Sequence, residues 1–226
     1  RHDYGKDRII MDNIRKKYID IYKGNKSLAD GMIKNYATPF YPLFQKARVQ
    51  NNAKWNQMLA FRDKVILDIG CGNGRFCYDA TSRFKAKKAY GLDVATVSLG
   101  ITEKYKTRLP KKLEFIDSDA SKIPLPDNSV DILTSFQVME HFPIKKIDEI
   151  FQEFYRVTKR GWIFAISHQN NKGIHGCDKP FAWWREKILD YAHDYFLYYP
   201  TSDEYKWGFG GNVGLSRWVC ELHKDL

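Results

Sequence analysis

At 226 residues, 43% apolar and 15% aromatic, the chain has enough hydrophobic surface for one α/β domain with its own core, and two full domains are not expected. No apolar run approaches the roughly 20 residues of a membrane span, and the opening RHDYGKDRII carries no hydrophobic signal segment, so a soluble, cytoplasmic protein is expected. The formal charge of +10 favours anionic partners, and three readings of it stay open: solvated lysine-rich faces, a nucleic-acid surface, or a phosphorylated or otherwise acidic substrate.

In chain order, residues 1–62 read as a helical cap. Ile9, Ile10, Ile14, Tyr18, Ile21 and Tyr22 recur at three- and four-residue steps and predict a helix over Asp7–Tyr22. A second is predicted over Ser27–Asn35 and a third over Leu43–Phe61, with Pro39 and Pro42 breaking the segment between them. Residues 63–226 then alternate. Strands are predicted at Val65–Ile69, Lys88–Asp93, Leu113–Asp117, Val130–Phe136 and Gly161–Ser167, and helices at Arg75–Arg83, Ala95–Arg108 and Ile144–Val157. Such alternation predicts a doubly wound, mainly parallel sheet with helices on both faces and its site at the carboxyl ends of the strands. The tail is expected to add a helix over Trp183–His193 and a terminal antiparallel strand over Val213–Leu222.

The most informative stretch is VILDIGCGNGRF, Val65–Phe76, in which a buried strand ends at Asp68 and runs into Gly70, Gly72 and Gly74. Glycines at alternate positions allow a ligand to lie against the backbone. A dinucleotide fingerprint would need glycine where Arg75 stands, and no Gly-Lys-Ser/Thr follows for a P-loop. Nineteen residues after Gly74, Asp93 ends the next strand, where a carboxylate can accept hydrogen bonds from ribose hydroxyls or simply cap the following helix.

The D-x-G-x-G-x-G pattern opening at Asp68, followed in order by Asp93, by Asp119-Ala120 and by the IPLPDNSVD loop, resembles the Rossmann-like S-adenosylmethionine (SAM) dependent methyltransferases. The resemblance implies a seven-stranded sheet, SAM as cofactor, and a cofactor site of Asp68, Gly70, Cys71, Gly72, Gly74, Asp93, Val94, Asp119, Ala120, Phe136 and Gln137. Within it, Asp93 would hold the ribose, Asp119 and Ala120 the adenine, and Gln137 would face the methionine moiety. At the fourth strand's end the sequence is Ser135-Phe136-Gln137-Val138. It lacks the Asp/Asn-Pro-Pro-aromatic tetrad of enzymes that methylate amines of flipped bases, and the Pro-Cys nucleophile of base carbon methylation, so a small-molecule enzyme is expected.

Methyl transfer from a sulfonium is an in-line displacement, in which the protein holds donor and acceptor in line and excludes water. A hydroxyl acceptor also needs a base. His141 with Glu140 beside it, and His168 past the fifth strand, are the candidates, against the plainer reading of Glu140-His141 as a capping and packing pair. Tyr36 and Tyr41, with Phe40, are expected to close the cofactor site. Trp183, with Trp184 and Trp207, is a candidate for the acceptor pocket, and Arg185 and Arg217 for gripping an acidic acceptor. His168, His175 and Cys177 fit no zinc spacing, no metal is expected, and the four cysteines read as reduced thiols. The expected reaction is methylation of oxygen, ahead of nitrogen, on a small polar metabolite of sugar or phosphorylated type. The alternatives are an RNA-directed methyltransferase or RNA-binding module using the basic surface, and a domain of this fold that has lost catalysis.

Overall fold

The structure, a computed structural model, describes residues 12–13, 15–20, 23, 57, 60–95, 100, 102–108, 111–167, 176–198 and 215–224. Its elements are β1 (Val65–Ile69), α1 (Arg75–Ser82), β2 (Lys88–Leu92), α2 (Glu103–Lys106), β3 (Leu113–Ile116), β4 (Val130–Phe136), α3 (Ile147–Val157), β5 (Thr158–Ser167), α4 (Phe181–Leu189), β6 (Ala192–Tyr198) and β7 (Leu215–Leu222). They build one seven-stranded sheet of order β3-β2-β1-β4-β5-β7-β6. Strands β1 to β5 are parallel, and β7 inserts antiparallel between β5 and β6. The chain winds outward from β1 to β3 and then restarts beside β1 with β4. That reversal opens a crevice at the carboxyl ends of β1 and β4, the place where this architecture binds ligands.

The central strands bury both faces, as parallel strands do. On one face α1 lays Phe76, Cys77 and Ala80 onto Ile66, Ile132, Ile163 and Val219, with Tyr105 of α2 alongside. On the other, α3 drives Ile150, Phe151 and Phe154 against Trp162 and Phe164, and α4 adds Trp184 and Ile188. Phe181 at the start of α4 stacks on Trp218 of β7, with ring centroids 4.8 Å apart and planes 18° from parallel.

The differences from the predicted elements have local causes. Strand β5 begins at Thr158, three residues before the expected start, because it follows α3 with no loop: the Thr158 hydroxyl donates to Phe154 O at 2.7 Å, and the polar Thr158-Lys159-Arg160 hides the strand from an apolar count. The predicted helix from Ile144 starts as a 3₁₀ turn over Ile144–Lys146, and α3 proper begins at Ile147. The helix predicted over Trp183–His193 is corrected: it starts at Phe181 after Pro180 and ends at Leu189, and Ala192 and His193 already belong to β6. Helix Ala95–Arg108 is present as α2 over Glu103–Lys106 among the described residues. Of the cap, residues 12–13, 15–20 and 23 are helical, within and just past the predicted first helix. The second helix and most of the third lie outside the described residues. No helix among the described residues is long and apolar enough to cross a membrane.

Candidate active site

The glycine loop leaves β1 and is tied to the tip of β2. Gly70 N–H and Cys71 N–H both donate to Leu92 O, at 2.7 and 3.1 Å, and Gly72 N–H donates to Asp93 Oδ2 at 3.1 Å. Asp93 Oδ1 also accepts the Ala95 N–H at 2.9 Å, so this carboxylate fixes both the loop and its own strand exit. A carboxylate offers roughly four lone-pair sites and so can accept from several donors at once.

The three glycines do different jobs. A Cβ on Gly70 would meet Val138 Cγ2 at 2.3 Å, and one on Gly74 would meet Phe115 Cζ at 2.3 Å. Both clashes are with the protein itself. A Cβ on Gly72, where φ is +53°, would meet nothing within 4 Å. Only Gly72 therefore faces the open cradle that a ligand against the backbone requires, and there the residues fit a bound cofactor.

Asp68, 4% exposed at the end of β1, accepts the Thr134 hydroxyl at 2.7 Å. Burial pushes its carboxyl up to about 7, against the lowering effect of that bond. Cys71 is buried in the same wall, and burial raises its thiol well above its ordinary value. Half-buried Val94 follows Asp93. Past β3, Asp119 Oδ1 accepts both the Ser121 N–H and its hydroxyl, which closes a tight turn and buries Ala120. At the end of β4, Phe136 packs edge-on to Phe76, and Gln137 holds φ at +55° while its N–H donates to Ala165 O at 2.7 Å. A left-handed glutamine is costly backbone, and such cost concentrates where a side chain must be aimed. All the predicted cofactor residues thus meet along the carboxyl edge of β1 to β4.

The candidate bases separate. His141 ends a 3₁₀ turn over Met139–His141 and is half-buried at this edge. Glu140, its neighbour in the turn, is 1% exposed, its Oε2 without a partner among the described residues. Burial pushes it up to about 8, against backbone hydrogen bonds at its own amide and Ser167's, so it is mostly protonated at neutral pH. The Glu140 carbonyl accepts the N–H groups of Gly176 and Cys177, which brings the chain after β5 back over the turn. His168 and His175 lie outside the described residues, as do Tyr36, Phe40, Tyr41 and Trp207.

The proposed acceptor residues are only partly gathered. Trp183 is half-buried at the start of α4, edge-on to buried Trp184 and beneath Lys179 and Lys187. Arg185 instead donates to Tyr195 Oη at 2.8 Å, against β6. That strand is four positions from β1, about 19 Å at ordinary strand spacing, so Arg185 is not brought to the cradle. The backbone of Arg217 pairs with Ala165, level with Phe136, and its side chain lies outside the described residues. Among the described residues no group of three or more His, Cys, Asp or Glu could hold a metal.

Two residues were missed by sequence reasoning. Arg15 pairs with Asp117 just past β3, and the Tyr18 ring meets His141 edge-on at 5.8 Å. Tyr18 was legible only as part of an apolar stripe, which says nothing about its hydroxyl.

Comparison with known proteins decides which cofactor the cradle takes: residues 67–166 match the family described as "Methyltransferase domain". Residues 67–166 form a SAM-dependent methyltransferase domain. The matched residues run from the glycine loop to the end of β5 and so contain the whole cradle. Sterol 24-C-methyltransferase ERG6B of Gibberella zeae is 32% identical over 103 residues, 45% of this chain and 26% of that protein. Malonyl-[acyl-carrier protein] O-methyltransferase of Yersinia pestis is 34% identical over 103 residues, 46% of this chain and 36% of that protein. The chain thus spans between a quarter and two fifths of the length of these relatives. The chain also superposes on magnesium protoporphyrin IX methyltransferase from Synechocystis PCC 6803, solved with bound SAH, with a TM-score of 0.63 at 12% identity, over 93% of this chain and 100% of that one. That likeness is one of fold.

Proposed function

We propose that this protein transfers the methyl group of SAM to an oxygen, ahead of a nitrogen, of a small polar metabolite. The relatives' printed names give a carbon acceptor in one case and an oxygen in the other, so the acceptor is read from the site. The observation that carries the reading is His141, an imidazole held at the carboxyl edge beside the cradle by the 3₁₀ turn and the Tyr18 ring. In that place it can take the proton of a hydroxyl acceptor. The bound cofactor supplies an electrophilic methyl. Gly72 leaves room for it, Asp93 and Asp119 would hold its ribose and adenine, Asp68 would attract its positive charge, and Gln137 would face its methionine end. Buried Cys71 and Met139, with half-buried Phe136, would keep water from the reacting groups.

The test is turnover of radiolabelled SAM against a panel of hydroxyl, carboxyl and amine metabolites, with His141→Gln in parallel. Loss of a general base lowers kcat about 10²- to 10⁴-fold on a hydroxyl acceptor. Full kcat in His141→Gln would remove the base from the reading, and activity confined to amines would replace oxygen with nitrogen.

A second reading, RNA-directed action, has one observation behind it. Lys87 N–H bonds Lys64 O, Asp63 N–H bonds Lys85 O and Ala89 N–H bonds Lys112 O, so these lysines meet at the amino edge of β1 to β3, the opposite end of the strands from the cradle. Lysines there do not support an anionic acceptor at the cofactor, but they suit an extended polyanion that wraps the domain.

A further inference from the structure

Residues 15–20 form a helix packed over the carboxyl edge of the sheet, and two side chains mark its course. Arg15 pairs with Asp117 beyond β3, and Tyr18 meets His141 beyond β4. Positions three apart share one helix face, about 4.5 Å apart along the axis. Strands β2 and β1 lie between β3 and β4, so this face crosses above Asp93 and the glycine loop. The Tyr18 hydroxyl oxygen is buried and has no hydrogen-bond partner among the described residues. Buried hydroxyls are rarely left so, and a partner that arrives with a ligand resolves the deficit. Burial first, and then the charges of Glu140 and Asp93, raise its pKa, so it stays a neutral phenol, a donor and not a base, at any working pH.

We propose that Tyr18 is a ligand-contacting residue of this site, donating a hydrogen bond to an oxygen of the bound cofactor, and that the Arg15–Asp117 pair anchors the helix that delivers it. The inference rests on the cofactor site described above and adds to it a residue from outside residues 67–166. The helix is then a part of the binding site and not a separate cap, and SAM is held from below by the sheet and from above by a phenol.

Calorimetry with S-adenosylhomocysteine on wild type, Tyr18→Phe, Arg15→Met and Asp93→Ala tests this, each checked for an unchanged melting temperature. Tyr18→Phe keeps the ring on His141 and loses only the hydroxyl, and is expected to weaken binding about five- to tenfold. Arg15→Met, which breaks a half-exposed pair, is expected to weaken it about two- to fivefold. Hydrogen exchange on the wild-type protein supplies a readout that needs no variant: the amides of residues 15–20 should slow when S-adenosylhomocysteine binds. Tyr18→Phe within twofold of wild type, or amides that do not slow, overturns the proposal. If Asp93→Ala weakens binding while Tyr18→Phe does not, only Tyr18 loses its role; if neither weakens it, the cofactor site itself is misplaced.

Discussion

Asp68 shows how burial and chemistry meet in one residue. Its carboxyl sits at the end of a buried strand with one hydroxyl donor, Thr134, and burial lifts it to about 7; Glu140, equally enclosed, is lifted to about 8. Both folded values lie above the unfolded carboxylate range near 4, so the folded state binds the extra protons between about pH 4 and 8. Their contribution to stability is complete below pH 4 and is lost as pH rises through 7 to 8. The melting temperature of the ligand-free protein should therefore fall between pH 5.5 and 8.5, and Asp68→Asn should flatten that fall, as followed by scanning calorimetry. A curve unchanged by Asp68→Asn would mean that Asp68 does not titrate in this window. Cofactor affinity should move the other way. A positively charged ligand favours ionised Asp68, so SAM should bind more tightly at pH 8 than at pH 6, and Asp68→Asn should lose that dependence.

At the scale of elements, the glycine loop separates packing from binding. Gly70→Ala and Gly74→Ala each drive a methyl into Val138 or Phe115 at a left-handed backbone position, and each should destabilise the fold by about 1–3 kcal/mol. Gly72→Ala meets open space and should cost the fold about 1–2 kcal/mol of backbone strain. Its larger effect belongs to ligand binding, where the methyl enters the cradle. Thermal melts and SAM titrations on the three variants distinguish these outcomes; equal loss of affinity in all three at equal stability would contradict the division. The loop and the five parallel strands were legible in the sequence because apolar runs ending in Asp68, Asp93 and Phe136 are bounded by turn residues. Strand β6 was not legible, since His193 and Asp194 interrupt its pattern at a register shift, and its place in the sheet is set by pairing with β7 rather than by its own residues. Arg185 misled for a related reason: a helix position gives a charge but not the neighbour it will meet, which is Tyr195.

Over the whole molecule, the described residues place a group of lysines at the end of the sheet away from the site. Lys64, Lys85, Lys87 and Lys112 meet at the amino edge of the strands, and burial, followed by nearby Arg160, lowers Lys64 to about 8. Crowded cations there are relieved by a polyanion. A single-stranded RNA should bind this face with an affinity that falls steeply with salt, and charge-neutralising Lys85→Gln, Lys87→Gln and Lys112→Gln together should flatten the slope by about two while SAM affinity stays unchanged. No binding at low salt would return these residues to plain solvated surface. At the opposite edge, carboxylates at successive strand tips and an open glycine turn are proposed to hold SAM. The most direct measurement is calorimetric titration of SAM into wild type and Asp93→Ala, with melting curves to show that both are folded. Bonds from this carboxylate to the ribose would be worth about 1.5–3 kcal/mol each, so the variant should bind at least tenfold more weakly. Equal affinity in the two proteins, or a wild type that binds a nicotinamide dinucleotide in place of SAM, would contradict it.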